Sequence, residues 1–279
     1  MNQEIFSEMV ILDICAGTKL ANRANILKYE EFAKTQPQLE IPVTDYIHAG
    51  MYTRQITIPK DTIITGQIYK FDHFDIMISG DITVSTDTDK PKRFTGFNVF
   101  KGMSGKKRAG YAHEDTTWIT VHAVKGESGD KIQEHLTADN FDELKEFYLC
   151  CDRFDYQSMV QELNSTHEDI MKVVENKDDQ TGTIGDNCYL DDSEISGVGC
   201  FSHNNIECGV VISESRIGDK RTLEGRYINH SMRPNCRMVI HSGGISVLSI
   251  ADIAENEELT VNYRTVLSDR FLEGDLCQA

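Results

Sequence analysis

Gly225-Arg226-Tyr227-Ile228-Asn229-His230-Ser231-Met232-Arg233-Pro234-Asn235 is the stretch whose reading decides the fold of the second half of the chain. It suits neither a helix nor a regular strand. Pro234 fixes φ and withholds a donor, while Asn229, Ser231 and Asn235 carry short polar groups that bond back to nearby backbone. The Asn229 amide both donates and accepts, which suits recognition of a small polar ligand. Taken alone, the same residues would serve as a capped turn in a surface loop.

The flanks narrow the choice. Downstream, the strand-like run Ile245-Ser246-Val247-Leu248-Ser249-Ile250-Ala251 precedes Glu258-Leu259-Thr260-Val261-Asn262-Tyr263. Upstream lie Ser196-Gly197-Val198-Gly199-Cys200-Phe201, then Ile206 and Gly209 before Val210-Val211-Ile212. In this order the three blocks resemble the SET domain of protein-lysine methyltransferases, over roughly residues 184–265. The resemblance implies a SET-type β fold across 183–267, followed by a tail at 268–279.

It also implies S-adenosyl-L-methionine as cofactor. Asn229 and His230 match the pair that holds it, and Gly197 and Gly199 match the opening glycines that let backbone approach the donor. Arg226 and Tyr227 match the lead-in that supports the loop at the cofactor site. Tyr263 matches the terminal tyrosine, a phenol beside the reacting atoms that would orient an amine and border the cofactor. Three departures stand out. Only about twenty residues separate Ile206 from Arg226, so the substrate groove is expected to be shallow or completed elsewhere. Met232 stands where many members carry a zinc-binding cysteine, and Cys277 is alone in the tail, so a zinc-free domain with no metal is expected. Val261 replaces an aromatic that often lines the lysine channel.

The first half reads differently. Residues 1–48 form a helical leader, with Leu20, Ala24 and Leu27 spaced to share one face of a helix that Gln36-Pro37 ends. From Gly50 the apolar period becomes two. Ile56 and Ile58 share a face closed by Pro59, and Ile63–Gly66, Phe74–Gly80 and Asp81–Ser85 continue as short strands split by glycines. Thr117–Ala123 alternates, with Ile119, Val121 and Ala123 opposing Trp118, Thr120 and His122. Such strands predict a small barrel or sandwich over 49–125.

The residues Ile58–Thr62, Gly66, His73, Ser79–Val84 and Lys107–Thr116 resemble the cupin fold, and more narrowly the cupin-like modules of tailed-phage proteins. Counted from Gly80 and Gly105, the usual cupin metal places fall on Gln67, Tyr69, His73 and Arg108, of which only His73 is a credible ligand. His113 and His122 lie off that pattern, and hydrogen-bonded structural histidines are expected. The basic loop Lys101–Arg108 reads as solvated.

Residues 126–182 read as an acidic helical linker. Asp139–Leu149 and Phe154–Leu163 suggest two helices, and Ser165-Thr166-His167-Glu168 opens a third with a capping box. The net charge of −17 is unevenly spread. Residues 1–126 hold 15 acids and 15 bases, 127–180 hold 15 and 5, and 181–279 hold 15 and 8. Nucleic acid is therefore not an expected partner, because its affinity rests on Lys and Arg. A basic protein substrate is compatible with the acidic half, and self-association would run through the barrel or the linker helices.

No apolar run approaches the roughly 18 residues of a membrane span, and the N-terminus lacks a signal pattern. No membrane partner and a cytoplasmic protein are therefore expected. Eight cysteines without a CxxC pair read as buried free thiols. The combined expectation is a mainly β chain with a helical linker, a cupin-like β-barrel followed by a SET-type fold. Functionally it is an S-adenosylmethionine-dependent protein-lysine methyltransferase, with the barrel as recognition or assembly module. Both resemblances together point to a bacteriophage protein working in a host bacterial cytoplasm. The competing expectation is a non-catalytic phage assembly or binding protein with a degenerate SET domain.

Overall fold

The structure, a computed structural model, describes residues 10–11, 15, 19–86, 90–124, 131–182 and 184–267. Readings that rest on the first residues, on Gly126, or on Cys277 and the tail at 268–279 lie outside the described residues. The chain is mainly β and divides into two compact units, Met1–Lys145 and Glu146–Ala279.

In the first unit, helix α1 (Lys19–Ala33) stops short of Pro37. Its buried face carries Asn22 and Ile26, with Tyr29 packed alongside against Ile11, Ala109 and Tyr111. Ala24 and Leu27 are exposed, which corrects the expected face, and the Leu20 side chain lies outside the described residues. The buried polar residue decides the rotation, since the Asn22 amide donates to the Thr86 carbonyl at 3.2 Å.

Strands β1 (Val43–His48) and β2 (Met51–Ile58) form a hairpin whose two-residue loop, Ala49-Gly50, has φ of 51° and 75°. Two positive φ values are what a type I′ turn needs to match strand twist. The unit continues with β3 (Ile63–Thr65), β4 (Ile68–Tyr69), β5 (His73–Val84), β6 (Lys92–Thr95), β7 (Asn98–Gly102) and β8 (Ala109–Ala123). A short helix α2 (Ile132–Leu136) and strand β9 (Thr137–Ala138), which pairs with β4, close it.

The main sheet runs β1-β2-β8-β5-β6, with β3 on β8 and β7 on β5. Among the described residues no ladder joins β1 to β6, so hydrogen-bonded strands do not close this sheet on itself. The two strands expected either side of Gly80 are one strand. Gly80 has φ of 113°, and a Cβ there would sit 2.4 Å from Thr116 Oγ1. The glycine kinks β5 between register shifts instead of ending it.

Inside β8 the buried face is the polar-looking one, with Thr120 and His122 buried beside Trp118. His122 is 1% exposed and packs between the rings of Tyr69 at 4.5 Å and His73 at 4.7 Å. Neither of its ring nitrogens has a hydrogen-bond partner among the described residues. Burial therefore pushes its pKa down from 6.5 to about 4, with the nearby His73 adding to the effect.

In the second unit, helix α3 (Phe141–Glu162), which begins before the division, replaces the two helices expected. No glycine or proline interrupts Cys150-Cys151-Asp152-Arg153, so the two amphipathic runs merge. Helix α4 (His167–Glu175) follows, capped by the Thr166 hydroxyl, which accepts from Asp169 N. Strands β10 (Cys188–Asp192) and β11 (Val198–Ser202) form a hairpin. Next come β12 (Val211–Ile217), β13 (Lys220–Arg221), helix α5 (Leu223–Tyr227), β14 (Asn229–His230), β15 (Cys236–His241), β16 (Gly244–Ser249), β17 (Thr260–Val261) and helix α6 (Tyr263–Leu267).

Four of these strands make a sheet in the order β13-β12-β16-β15, while β14 and β17 pair in parallel. The core gathers Cys188, Cys200, Ile212, Ile228, Cys236, Val247, Ile253, Leu259 and Val261. All described cysteines are free, but Cys150 and Cys208 are exposed, against the expectation of uniformly buried thiols.

A buried neutral histidine makes stability depend on pH with a definite sign. The unfolded chain binds a proton near pH 6.5 that folded His122 refuses until about 4. Stability is thus complete above pH 6.5 and falls as pH drops toward 4, by on the order of 2–3 kcal/mol. His122→Phe, which removes the titrating group, should flatten urea-unfolding stability between pH 5 and pH 7 relative to the wild type.

Candidate active site

The site begins with a half-buried carboxylate. Glu258, just before β17, is held by the Ser193 hydroxyl, 2.8 Å and 2.9 Å from its two oxygens, and by Asn229 Nδ2 at 2.8 Å. Burial raises its pKa above the ordinary glutamate value, although the Asn229 and Ser193 bonds work against that shift. Gly199 is the reason the carboxylate fits, because a Cβ there would lie 2.4 Å from Glu258 Oε1 and 3.0 Å from Ser193 Cβ. Gly197 differs: its φ is 54° and the space beside it is open to 4 Å.

Asn229 Nδ2 also lies 3.0 Å from Ser193 Oγ, 3.1 Å from the Ser196 carbonyl and 3.3 Å from that of Val198. Four oxygens around one amide nitrogen fix which end of the side chain is which. Its Oδ1 receives no donor from the described residues and is left as an acceptor.

The parallel pairing Asn229↔Thr260 and His230↔Val261 brings the last block to the first. Asn235 locks that pairing: its Oδ1 accepts from Thr260 N at 2.8 Å and its Nδ2 donates to the Glu258 carbonyl at 2.8 Å. His230 Nδ1 accepts from Tyr263 N at 3.1 Å, which places its proton on Nε2, 3.1 Å from Asp155 Oδ2. Desolvation outweighs the raising effect of Asp155 and Asp152, so the pKa of His230 is lowered and the ring stays neutral. The Tyr263 ring lies 5.3 Å from His230 and 6.4 Å from Tyr156. Its hydroxyl donates to the Ile228 carbonyl at 2.7 Å, and burial raises its pKa, keeping the phenol protonated.

Of the residues singled out in the sequence, Gly199, Asn229, His230 and Tyr263 thus converge, and Gly197 sits on the open side of the same turn. Arg226 faces elsewhere. Its guanidinium is buried, donates to Asp179 Oδ1 at 2.7 Å and to the Val174 carbonyl, and so fastens the 173–179 segment. Tyr227 is half-buried with no polar partner among the described residues. Gly225, in the same block, lies against β12, where a Cβ would come 2.0 Å from the Ser215 carbonyl. Val261 is buried in the core cluster.

The sequence reading expected helices here but missed the two acids that α3 brings to the site. Asp152 accepts from Ser231 Oγ at 3.0 Å and from Met232 N at 2.7 Å, while Asp155 pairs with Arg264 at 2.9 Å as well as facing His230. The i, i+3 spacing of these two acids on one helix face was the available signal. No group of three or more His, Cys, Asp or Glu converges as a metal cluster among the described residues.

The Gly199–Glu258 contact yields a test. Gly199→Ala should displace the carboxylate, release the Asn229 amide and cost roughly 1–3 kcal/mol of stability. Gly197→Ala meets no atom and should cost only the left-handed backbone, about 1 kcal/mol. Denaturant unfolding of the two variants compares them directly, and equal costs would remove the steric role assigned to Gly199.

The SET domain family model matches residues 13–264, a wider span than the 184–265 that carries the motifs. No curated protein matches. Among solved structures, a cupin superfamily protein from Desulfitobacterium hafniense is similar at 8% identity, covering 32% of this chain and 83% of that one, with a TM-score of 0.28. A conserved protein of unknown function from Streptococcus pyogenes is similar at 18% identity, covering 33% and 80%, with a TM-score of 0.27. KdgF from Halomonas sp. is similar at 14% identity, covering 33% and 86%, with a TM-score of 0.28.

Proposed function

We propose that this chain, which belongs to the SET domain family, is an S-adenosylmethionine-dependent methyltransferase acting on lysine side chains of a protein substrate. The observation that supports this most is that Asn229 and His230 meet Tyr263, more than thirty residues further along the chain, through the β14–β17 pairing and the bond from Tyr263 N to His230 Nδ1.

The residues present fit such a cofactor. The Asn229 carbonyl oxygen, fixed in orientation and without a donor, would accept from the ammonium of an amino-acid moiety. The open side of the turn at Gly197 leaves backbone accessible to it. When bound, S-adenosylmethionine supplies a methyl group activated by a sulfonium. The protein's part is to present a neutral amine in line. A lysine of pKa about 10.4 costs roughly 4–5 kcal/mol to deprotonate at neutral pH, and burial beside apolar walls reduces that cost. Tyr263 donates its own proton to the Ile228 carbonyl, so its oxygen retains lone pairs that accept from an amine N–H and aim the nitrogen.

The substrate is proposed to be basic, since the region 127–279 carries 30 acids against 13 bases. The segment before Arg226 folds as the β12–β13 hairpin, which supports a shallow groove accepting a lysine on a protein surface.

Tyr263→Phe separates enzyme from binding protein. Losing the hydroxyl leaves the Ile228 carbonyl unpaired, costing about 1 kcal/mol of stability whatever the function. If the phenol aims the amine, cofactor affinity should stay nearly constant while methyl transfer falls by a factor of about 100 or more. The assay uses the whole chain, labelled cofactor and a panel of lysine-rich peptides and bacterial lysate, because α3 supplies Asp152 and Asp155 to the site. Unchanged transfer by the variant would refute the role of Tyr263. Cofactor binding without any transfer by the wild type would favour a non-catalytic binding or assembly protein.

A further inference from the structure

The first unit encloses a cavity of about 310 Å³ that the methyltransferase reading does not use. Its walls are mostly apolar, including Ile56, Ile58, Ile82 and Trp118. Gln67, Tyr69, His73 and Arg108, the four places picked out by counting along the sequence, all line it.

The polar groups of the wall are unbalanced. Three cationic side chains, Arg54, Lys106 and Arg108, line the cavity against one carboxylate, Asp75. That carboxylate is already engaged. Its Oδ1 accepts from Trp118 Nε1 at 3.0 Å and from Thr120 Oγ1 at 3.1 Å, and its Oδ2 lies 3.4 Å from His73 Nε2. His73 is in turn fixed, with Nδ1 3.1 Å from the Phe71 carbonyl and its ring filling the space over Gly102, where a Cβ would come 2.1 Å from Nε2. Arg54 lies 3.6 Å from Asp45 Oδ2. Arg108 is half-buried, and no described acid, carbonyl or ring pairs with its guanidinium.

A partly desolvated guanidinium without a counter-charge is costly, and its planar fork matches a carboxylate or phosphate. The apolar remainder of the cavity would take a hydrophobic body of about ten heavy atoms. We propose that the first unit is a binding module for a small organic anion, a carboxylate or phosphate ester on an apolar body, with Arg108 as the anchor of the charged group. The Asp75–His73 pair forms a closed polar floor that does not compete for it.

Calorimetry on the whole chain tests this with phenylacetate, octanoate and phenyl phosphate, and with phenylacetamide as neutral counterpart. At least one anion should bind with a Kd below about 1 mM, and phenylacetamide should bind at least about tenfold more weakly than phenylacetate or not at all. The relative strength of carboxylate and phosphate identifies which head group the site prefers. Arg108→Gln should abolish the preference for anion over amide, and Arg108→Lys should restore part of it. Asn229→Ala, in the other unit, should leave anion binding unchanged. No binding by any of the three anions at about 10 mM, equal affinity for acid and amide, or loss of binding in Asn229→Ala would each overturn the proposal. The comparison of acid with amide needs only the wild type, so it stands even if a variant fails to fold.

Discussion

The half-buried Glu258 carboxylate is the constraint on which the second unit turns. It sits against the only kind of residue that leaves room for it, Gly199, and gathers the Ser193 hydroxyl and the Asn229 amide into one network. A partly desolvated carboxyl with fewer donors would be unfavourable. The donors it has come from the β10–β11 turn and from β14, so satisfying the carboxylate also assembles the turn and the strand that carry the recognition residues. Asn235 performs the same office one residue on, binding the Thr260 amide and the Glu258 carbonyl. Fold and site are therefore fixed by the same hydrogen bonds.

This explains how much was legible in the sequence. The Asn-His-Ser…Pro-Asn block, the glycine pair and the Glu-Leu-Thr…Tyr block are local strings, and each string carries residues whose partners lie in another. Their order was enough to suggest the family. What the strings could not show is that Arg226 faces Asp179 and not the site, or that the Asn229 NH2 is spent on protein oxygens and only its carbonyl end remains. Those outcomes depend on which long-range neighbour arrives, and spacing along the chain does not encode it. Helix α3 is the clearest case. Its acidic composition read as a helical linker, yet Asp152 is 5% exposed and caps the Ser231-Met232 turn.

In the first unit the alternation in Thr117–Ala123 separated two faces, and the more buried one carries Thr120 and His122. Trp118, Thr120 and His122 turn inward because Asp75 offers acceptors to the first two and the rings of Tyr69 and His73 enclose the third. Likewise Gly80 reads as a strand end in sequence and is a kink in the structure, since the clash that demands glycine comes from Thr116, thirty-six residues away. A glycine records that space is short, without recording whether a turn or a neighbouring strand takes it.

The titrating groups of the candidate active site share one tendency. Burial raises the pKa of Glu258 and of the Tyr263 phenol and lowers that of His230, so each is pushed toward its neutral form. The other carboxyl groups nearby have partners: Asp152 accepts from the Ser231 hydroxyl and the Met232 N–H, and Asp155 pairs with Arg264. An environment that disfavours ionisation of its own side chains also disfavours the ammonium form of a lysine brought into it. On the proposed function, the burial that positions Tyr263 thus also helps to present the amine unprotonated, and a general base is not required at the site. The same burial makes the Ile228 carbonyl important. Without that acceptor the phenol proton would be directed at the incoming nitrogen, competing for the lone pair that has to remain free for transfer.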